Sequence, residues 1–303
     1  MSVKWYVGAI LKEPLDVTLR FVAWYLEQGA EQIALYFDDP VDPAADLLKD
    51  HPKITVNPCT PEFWRRIGIC PDRPFVKRQN RALTHAYNQF QEGWFLNVDS
   101  DEFMYFQDRT VAEVLESIDP DVWTVKVLPA EVIQTDTNDV GDHFRCLMER
   151  PQIRSVYGSN MHYVAQRSGL VGHNAGKSFT RAGLNGVQMR QHWPVLNDPP
   201  GENSTIGREQ DAYLLHFFDR GFDSWLAKAG WRASARGFRN MIKAELKQIE
   251  NSENPREEYL ALYRRLHHFD DAQLRRLKDC NAHLYLELGL DDLVKQHFHE
   301  AYA

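Results

Sequence analysis

The sequence has few cysteines and no long apolar run. Its four cysteines, Cys59, Cys70, Cys146 and Cys280, are widely separated and form no C-x-x-C pair, so neither a zinc knuckle nor a dithiol redox motif is indicated. No apolar run approaches the roughly 20 residues that a membrane span needs, and residues 1–11 are too short and wrongly flanked for a signal peptide. We therefore expect a cytoplasmic protein without a membrane span, and peripheral membrane association through a partner stays open.

Positive charge is also in deficit. Lys and Arg total 35 against 43 Asp and Glu, a net charge of -8, which disfavours broad electrostatic capture of nucleic acid or anionic lipid. A local basic pocket remains compatible with this balance. The 303 residues, 43% of them apolar, are enough for one large core or two modest ones, and the composition gives no sign of disorder.

Strand-like and helix-like segments alternate through the first half of the chain. Apolar β-prone segments at 3–11, 32–37 and 53–56 alternate with helical patterns at 14–28, 43–50 and 78–90. This order predicts an α/β fold with a mostly parallel sheet flanked by helices. After about residue 238 the chain predicts helices at 244–249, 256–268, 272–288 and 290–302. We therefore expect a catalytic domain over 1–235 and a helical C-terminal extension over 236–303.

Three carboxylates follow the apolar strand that begins at Trp94, namely Asp99, Asp101 and Glu102. In an extended chain Asp99 and Asp101 point to the same side, close enough to share one cation or one cation and a ribose. Hard oxygen ligands of this kind suit Mg²⁺ or Mn²⁺. The chain has a second Asp-x-Asp at 119–121, but its central proline and the helix-like stretch before it indicate a surface turn.

Polar residues also follow two other predicted strands. Lys12 and Asp38 each lie at or just beyond a strand end, as Asp99 does. Ligands of open α/β sheets bind beyond the carboxyl ends of the strands, so we expect these three positions to converge on one edge. Taken singly, Lys12 is equally explained as part of a solvated loop, and Asp38 as part of a turn before proline.

The order of these motifs resembles the family 2-like glycosyltransferases with a GT-A fold, and most closely the bacterial branch with a D-x-D-E-F motif. The residues that carry the resemblance are Lys12-Glu13, Asp38-Asp39, Lys77-Arg78-Gln79-Asn80 and Trp94 followed by Asp99-Ser100-Asp101-Glu102-Phe103. The resemblance implies a nucleotide-diphosphate sugar as donor. It further implies that Asp38 or Asp39 contacts the nucleoside with Arg78 nearby, and that Asp99 and Asp101 meet ribose and metal.

The resemblance extends, more loosely, to about residue 230. The segment 177–181 is similar to the family's basic strand, and His216-Phe217-Phe218 followed by Lys228 is similar to its late histidine and lysine element. These matches imply that His216 completes the metal site and that Lys228 neutralises the diphosphate. Lys177 is placed where it can flank a phosphate, although a solvated basic edge explains it equally well.

The expected mechanism follows from the negative charge that a nucleotide diphosphate gains as it leaves the sugar. A divalent cation held by Asp99 and Asp101, helped by a lysine, stabilises that charge, which makes Asp101 a catalytic residue. Inverting transfer also needs a carboxylate base, and we take Glu131 as the candidate. The alternatives that stay open are Asp136, Asp198, Glu209 and Asp211. A retaining enzyme requires no such base.

The leading hypothesis is thus a metal-dependent glycosyltransferase that uses a nucleotide-diphosphate sugar, UDP-linked by preference, and acts on a polysaccharide, glycolipid or other hydroxyl acceptor. One alternative is a catalytically silent carbohydrate-binding relative, against which both Asp99 and Asp101 speak. Another is a sugar nucleotidyltransferase, which should carry an early glycine-rich phosphate loop. Val7-Gly8-Ala9 supplies a single glycine, so this alternative is disfavoured.

Overall fold

The computed structural model describes residues 3–218, 220–234 and 238–298. The helix expected over 290–302 therefore ends outside the described residues, and so does the domain boundary expected at 235/236. Of the described residues, no helix is both long and apolar enough to cross a membrane.

Strands and helices alternate through the first part of the chain. The strands are β1 (Trp5–Leu11), β2 (Gln32–Phe37), β3 (Ile54–Pro58), β4 (Trp94–Asn97), β5 (Glu102–Phe106), β6 (Val122–Val127), β7 (Pro129–Thr135), β8 (Asp142–Cys146), β9 (Lys177–Arg181), β10 (Glu202–Ile206), β11 (Ala212–His216), β12 (His268–Phe269) and β13 (His283–Leu286). The helices are α1 (Leu15–Glu27), α2 (Pro43–Leu48), α3 (Pro61–Arg66), α4 (Phe75–Tyr87), α5 (Val111–Glu116), α6 (Arg150–Tyr157), α7 (Met161–Val164), α8 (Phe222–Ser234), α9 (Asn240–Ile249), α10 (Pro255–His267), α11 (Asp271–Asp279) and α12 (Leu290–His297).

The chain divides into two compact units, each made of separated segments. The first unit comprises residues 1–128, 176–214 and 289–303, and the second comprises 129–175 and 215–288. This grouping differs from the division expected at 235/236. Its physical reason is strand pairing, because β12 pairs with β7 and β13 pairs with β8, which joins the C-terminal segment to residues 129–146.

The first unit is built on a seven-stranded sheet in the order β10-β6-β9-β4-β1-β2-β3. β1 is parallel to β2 and β4, β2 is parallel to β3, and β6 is parallel to β10, whereas β9 runs antiparallel to both β4 and β6. The α/β class with a mostly parallel sheet, as a GT-A-like fold requires, is confirmed.

Helices cover both faces of this sheet. Successive strand side chains point to opposite faces, and Trp5 of β1 contacts Tyr25 of α1 while its neighbour Tyr6 stacks on Phe90, with the ring centres 4.0 Å apart. Helix α12 then returns to α1, where Arg20 Nε donates a 2.6 Å hydrogen bond to Asp291. The predicted βαβ order therefore leads to a three-layer arrangement of helix, sheet and helix.

The second unit combines an antiparallel set of strands with helices. β8 pairs antiparallel with both β7 and β13, and a buried cluster that includes Trp225, Phe238, Tyr263 and Leu266 forms its core. The single helix expected over 272–288 is wrong in its second half, because α11 ends at Asp279 and β13 follows. Asn281 takes a left-handed conformation with φ of 51°, which stops the helix and turns the chain into β13.

Two histidines meet where β13 pairs with β8. His143 Nδ1 and His283 Nε2 share a hydrogen bond of 2.9 Å, and His143 Nε2 lies 2.9 Å from Asp139 Oδ2. Burial, followed by the charges of His143 and Lys278, lowers the pKa of His283 from its ordinary value of 6.5 to about 4. The folded protein therefore favours the neutral imidazole of His283.

We predict that the second unit loses stability as the pH falls from about 6.5 towards about 4. In this window the unfolded chain takes up a proton at His283 before the folded chain does, so the free energy of unfolding must decrease, whereas above it the contribution is fully present. Urea unfolding at several pH values across this range measures the slope of the free energy of unfolding against pH. We expect a smaller slope for His283→Gln and the wild-type slope for a control at the exposed His162, His162→Gln. Equal slopes in all three proteins would refute the assignment.

Candidate functional site

Three neighbouring parallel strands of the first unit end side by side. Leu11 and Phe37, the last residues of β1 and β2, are in register, and Asp38 N donates to Leu11 O at 2.9 Å. On the other side of β1, Val98 N donates to Gly8 O as β4 ends. Lys12, Asp38 and Asp99 therefore follow three adjacent strands at one carboxyl edge, as the sequence indicates. Lys12 is exposed there, and Asp38 is largely buried.

The Asp99-x-Asp101 segment is a turn. The expectation of an extended chain through it is wrong, because β4 ends at Asn97 and Glu102 N donates to Asp99 O at 3.1 Å. Asp and Ser favour turns because their short polar side chains compete for backbone groups. The fully buried Glu102 stabilises this turn by accepting a 2.8 Å hydrogen bond from Asp99 N. Asp99 and Asp101 thus present their carboxylates from a turn rather than from one face of a strand.

Lys177 is the buried cation of this turn. It begins β9, and because β9 is antiparallel to β4, its start lies at the edge where β4 ends. Its Nζ lies 2.7 Å from Asp99 Oδ2 and 3.1 Å from Glu102 Oε2. Burial alone would lower the pKa of Lys177, but the two carboxylates outweigh burial and raise it. Lys177 is therefore charged and holds both acidic side chains of the turn.

Sequence reasoning missed Gln79, although it had identified the helix start to which Gln79 belongs. Gln79 Nε2 donates to Asp99 Oδ1 at 2.8 Å, and Gln79 Oε1 accepts from Gln191 Nε2 at 3.0 Å. Gln79 is buried in α4 on the same helix stripe as Ala82 and Leu83. A polar residue on a buried helix stripe needs a hydrogen-bond partner, and this requirement is the feature of the sequence that points to Gln79.

Asp38 and Arg78 form a close ion pair. Both terminal nitrogens of Arg78 donate to the Asp38 carboxylate, Nη2 at 3.2 Å, and the guanidinium lies 5.1 Å from the Trp64 ring centre. Asp39 instead accepts a hydrogen bond from Val41 N and closes a local turn. Of the two aspartates, Asp38 is thus the one that the structure brings to Arg78.

Glu131, the residue expected to act as the base, lies in the second unit and inside β7. It is fully buried and paired with Arg145, and it accepts hydrogen bonds from Val171 N at 3.0 Å and from Gly172 N. Burial raises the pKa of Glu131, but Arg145 first, then His216 and His267, outweigh it and hold the pKa at about 2. Glu131 is therefore an ionised carboxylate enclosed by donors.

His216 and Lys228 also belong to the second unit. His216 ends β11, is buried, and its ring centre lies 4.8 Å from that of His173. A Cβ on Gly172 would lie 2.5 Å from Glu131 Oε2 and 2.9 Å from His216 Cε1, so a glycine is needed there. Lys228 is half-buried on α8. The structure thus gathers Asp38, Arg78, Asp99 and Lys177 in the first unit, and Glu131 with His216 in the second.

The turn in the first unit carries the two carboxylates that the sequence predicts as ligands of a divalent cation. Asp99 keeps 37% of its side chain exposed although Lys177 and Gln79 fix its orientation. Asp101 is half-buried in the same turn. Oxygen donors held at the end of a strand match the preference of Mn²⁺ and Mg²⁺, so the donor set fits either ion.

Comparison with known proteins gives one family and several distant structures. The model of glycosyltransferase family 92 matches residues 14–280. The mannosyltransferase PcManGT from Pyrobaculum calidifontis, solved with GDP-Man and Mn²⁺, is 14% identical, covers 100% of this chain and 81% of its own, and has a TM-score of 0.40. HddC from Yersinia pseudotuberculosis is 15% identical, covers 46% of this chain and 67% of its own, and has a TM-score of 0.29. No curated protein matches the sequence.

We predict that Glu131→Ala lowers the free energy of unfolding by roughly 3–5 kcal/mol, because it leaves the buried Arg145 guanidinium without its counter-charge. The double variant Glu131→Ala/Arg145→Met removes both charges and should recover part of the loss, which a double-mutant cycle measures. Glu116→Ala, at an exposed glutamate, should be nearly neutral. A stable Glu131→Ala protein that has lost only sugar transfer would instead support the catalytic role expected for Glu131.

Proposed function

We propose that this chain, which belongs to glycosyltransferase family 92, moves a sugar from a nucleotide-diphosphate donor to a hydroxyl group of a carbohydrate or glycolipid acceptor. The expectation of a glycosyltransferase is confirmed. The finer expectation of a family 2-like enzyme is corrected to family 92, which covers most of the chain. The observation that supports the donor site is the cluster of Asp99, Lys177 and Gln79 at the carboxyl edge of the parallel strands.

The nucleoside end of the donor is assigned to β2. Asp38 and Arg78 form a bidentate pair whose guanidinium stacks on Trp64, and Lys12 follows the adjacent strand. A carboxylate there can accept hydrogen bonds from ribose hydroxyls or base N–H groups, and an exposed ammonium suits a phosphate. We favour UDP-sugar as the donor and retain Asp39 as a second possible contact.

The diphosphate is assigned to the turn at β4. Asp99 and Asp101 would hold Mn²⁺ or Mg²⁺, which when bound neutralises the charge that develops on the leaving diphosphate. Lys177 and Gln79 contribute by fixing the orientation of Asp99 before any ligand arrives. His216 as a further metal ligand and Lys228 as a diphosphate contact rest on the order of motifs in the sequence, and both stay predictions.

Inversion at the transferred sugar is part of the proposal. The enclosed Glu131 has a pKa of about 2, so it is a weak base, and its contacts with Val171 N and Gly172 N favour a structural role.

We place the reaction in the cytoplasm and in polysaccharide or glycolipid synthesis. Four widely separated cysteines without a C-x-x-C pair support a reducing compartment.

We predict that one nucleotide diphosphate raises the thermal stability of the protein only when Mn²⁺ is present. A ligand at about 100 times its Kd adds roughly 2.7 kcal/mol, so a thermal-shift screen of UDP, GDP, CDP and their sugar conjugates, with and without Mn²⁺, detects the donor. Asp101→Ala should abolish the Mn²⁺-dependent shift while the unliganded protein still folds.

The matched control for that variant is Asp121→Ala. Asp121 is the second aspartate of the other Asp-x-Asp and is exposed, so its loss should change nothing. An unchanged shift in Asp101→Ala would remove the metal site from the proposal. If no nucleotide shifts the wild-type protein, a silent carbohydrate-binding relative becomes the better reading.

The Asp38–Arg78 pair gives a second prediction about the donor. Arg78→Lys keeps the charge but loses the bidentate contact, so the nucleotide should bind more weakly by about 1.5–3 kcal/mol whether or not Mn²⁺ is present. Isothermal titration of the nucleotide found in the screen measures this change. Arg66→Lys is the control, because Arg66 also stacks on an aromatic ring, that of Phe63. Equal affinities in wild type and Arg78→Lys would exclude the nucleoside assignment.

A further inference from the structure

A short closed loop follows β9 in the first unit. Gln188 and Val195 exchange two backbone hydrogen bonds of 2.9 Å, which close the loop at its base. Met189 is fully buried, and its N–H donates to Thr84 Oγ1 of α4 at 3.0 Å. The loop is therefore fixed at its base and packed on α4.

Buried side chains of the sheet hold the carbonyls of this loop. Asn97 Nδ2 donates to Arg190 O at 3.0 Å and to Gln191 O at 3.1 Å. Lys177 Nζ also donates to Gln191 O, at 2.8 Å. Lys177 is the residue that orients Asp99, so the loop and the candidate metal turn are parts of one hydrogen-bonded network.

The loop presents a tryptophan to solvent. Trp193 is 49% exposed, and its neighbour His192 is held through its carbonyl by Ser178 Oγ at 3.1 Å. Six other tryptophans are each at most 4% exposed, namely Trp5, Trp24, Trp64, Trp94, Trp123 and Trp225. The core gains little from Trp193, yet the chain fixes its backbone tightly, which is typical of a preformed contact for a ligand.

Lys126 indicates where Trp193 lies along the sheet edge. The Lys126 ammonium is 5.8 Å from the Trp193 ring centre, and Lys126 pairs with Ser178 near the carboxyl end of β6. Because β6 and β4 are both antiparallel to β9, they run in the same direction and end at the same edge. Trp193 is therefore at the carboxyl edge that carries Asp99.

The order of strands separates Trp193 from the proposed nucleoside contacts. Asp38 follows β2, Asp99 follows β4, and Lys126 is on β6, which lies two strands beyond β4. At about 4.8 Å per strand, β6 is roughly 10 Å from β4 on the side away from β2. A donor with its nucleoside at β2 and its diphosphate at β4 would direct its sugar towards β9, so β6 lies beyond that sugar, where an acceptor would bind.

We propose that Trp193 is an aromatic platform for a sugar ring of the carbohydrate acceptor, and this rests on the proposed function. The apolar C–H face of a hexose packs on an indole ring, and a rigid aromatic side chain loses little conformational entropy on binding. Lys126 fixes the indole from one side through a cation–π contact. Trp193 is thus a binding residue for the acceptor and not for the nucleotide.

The test measures sugar binding separately from nucleotide binding. Saturation-transfer difference NMR is recorded with the methyl glycosides of glucose, galactose, mannose and N-acetylglucosamine, in the presence of Mn²⁺ and the nucleotide diphosphate found by thermal shift, or UDP if none is found. We expect at least one glycoside to bind the wild type, Trp193→Ala to bind it about tenfold more weakly or not at all, and Trp193→Phe to retain most of the affinity. The nucleotide-induced thermal shift should be the same in all three proteins.

Met241→Ala is the control, since Met241 is 50% exposed and lies in the second unit. Unchanged glycoside binding in Trp193→Ala, no glycoside bound by the wild type, or a lost nucleotide shift in Trp193→Ala would each overturn the platform. Glycoside binding that depends on Trp193 in a protein that binds no nucleotide would uphold the platform and overturn the proposed donor site.

Discussion

The buried ammonium of Lys177 is the interaction on which the candidate site depends. Removing an ammonium from water costs several kcal/mol unless opposite charges and hydrogen-bond acceptors surround it. Asp99, Glu102 and Gln191 O provide them, from the turn after β4, the start of β5 and the loop after β9. The charge at the start of β9 thus joins the turn at residues 99–102 to the loop after β9 and fixes the orientation of both acidic side chains.

The second unit also has a buried charged group at its centre, in this case a negative one. Glu131 is a carboxylate inside a strand, and Arg145 on the neighbouring strand is its counter-charge. Arg145 also donates to Tyr157 OH at 2.9 Å and to Leu266 O at 2.7 Å, so strands and helices meet at one guanidinium. Such a pair stabilises the fold less than apolar residues of the same size can, but it specifies which segments come together.

Local patterns in the sequence were enough to predict the first strands and helices and the sheet edge that carries the candidate site. A continuous apolar, β-prone run predicts β1, Pro14 and Gly29 delimit α1, and the βαβ order places Lys12, Asp38 and Asp99 at one edge. Such local patterns do not identify interaction partners that are distant in the sequence. Nothing near Glu131 indicates Arg145 as its partner, and the pairing of β13 with β8, which makes residues 283–286 a strand, depends on a segment about 140 residues earlier. The same limit applies to Gln79, whose partners Asp99 and Gln191 lie in other segments.

The division of the chain into interleaved segments bears on how the protein forms during synthesis. The first unit takes residues from both ends of the chain, and α12 returns to α1 through contacts such as that of Asp291 with Arg20 and that of His297 with Glu27. A ribosome therefore releases the last helix of the first unit only after every residue of the second has been made. All seven strands of the sheet have been made by Ile206, so the sheet awaits α12 while residues 215–288 emerge, and an expression fragment cut at any single position would leave at least one unit incomplete.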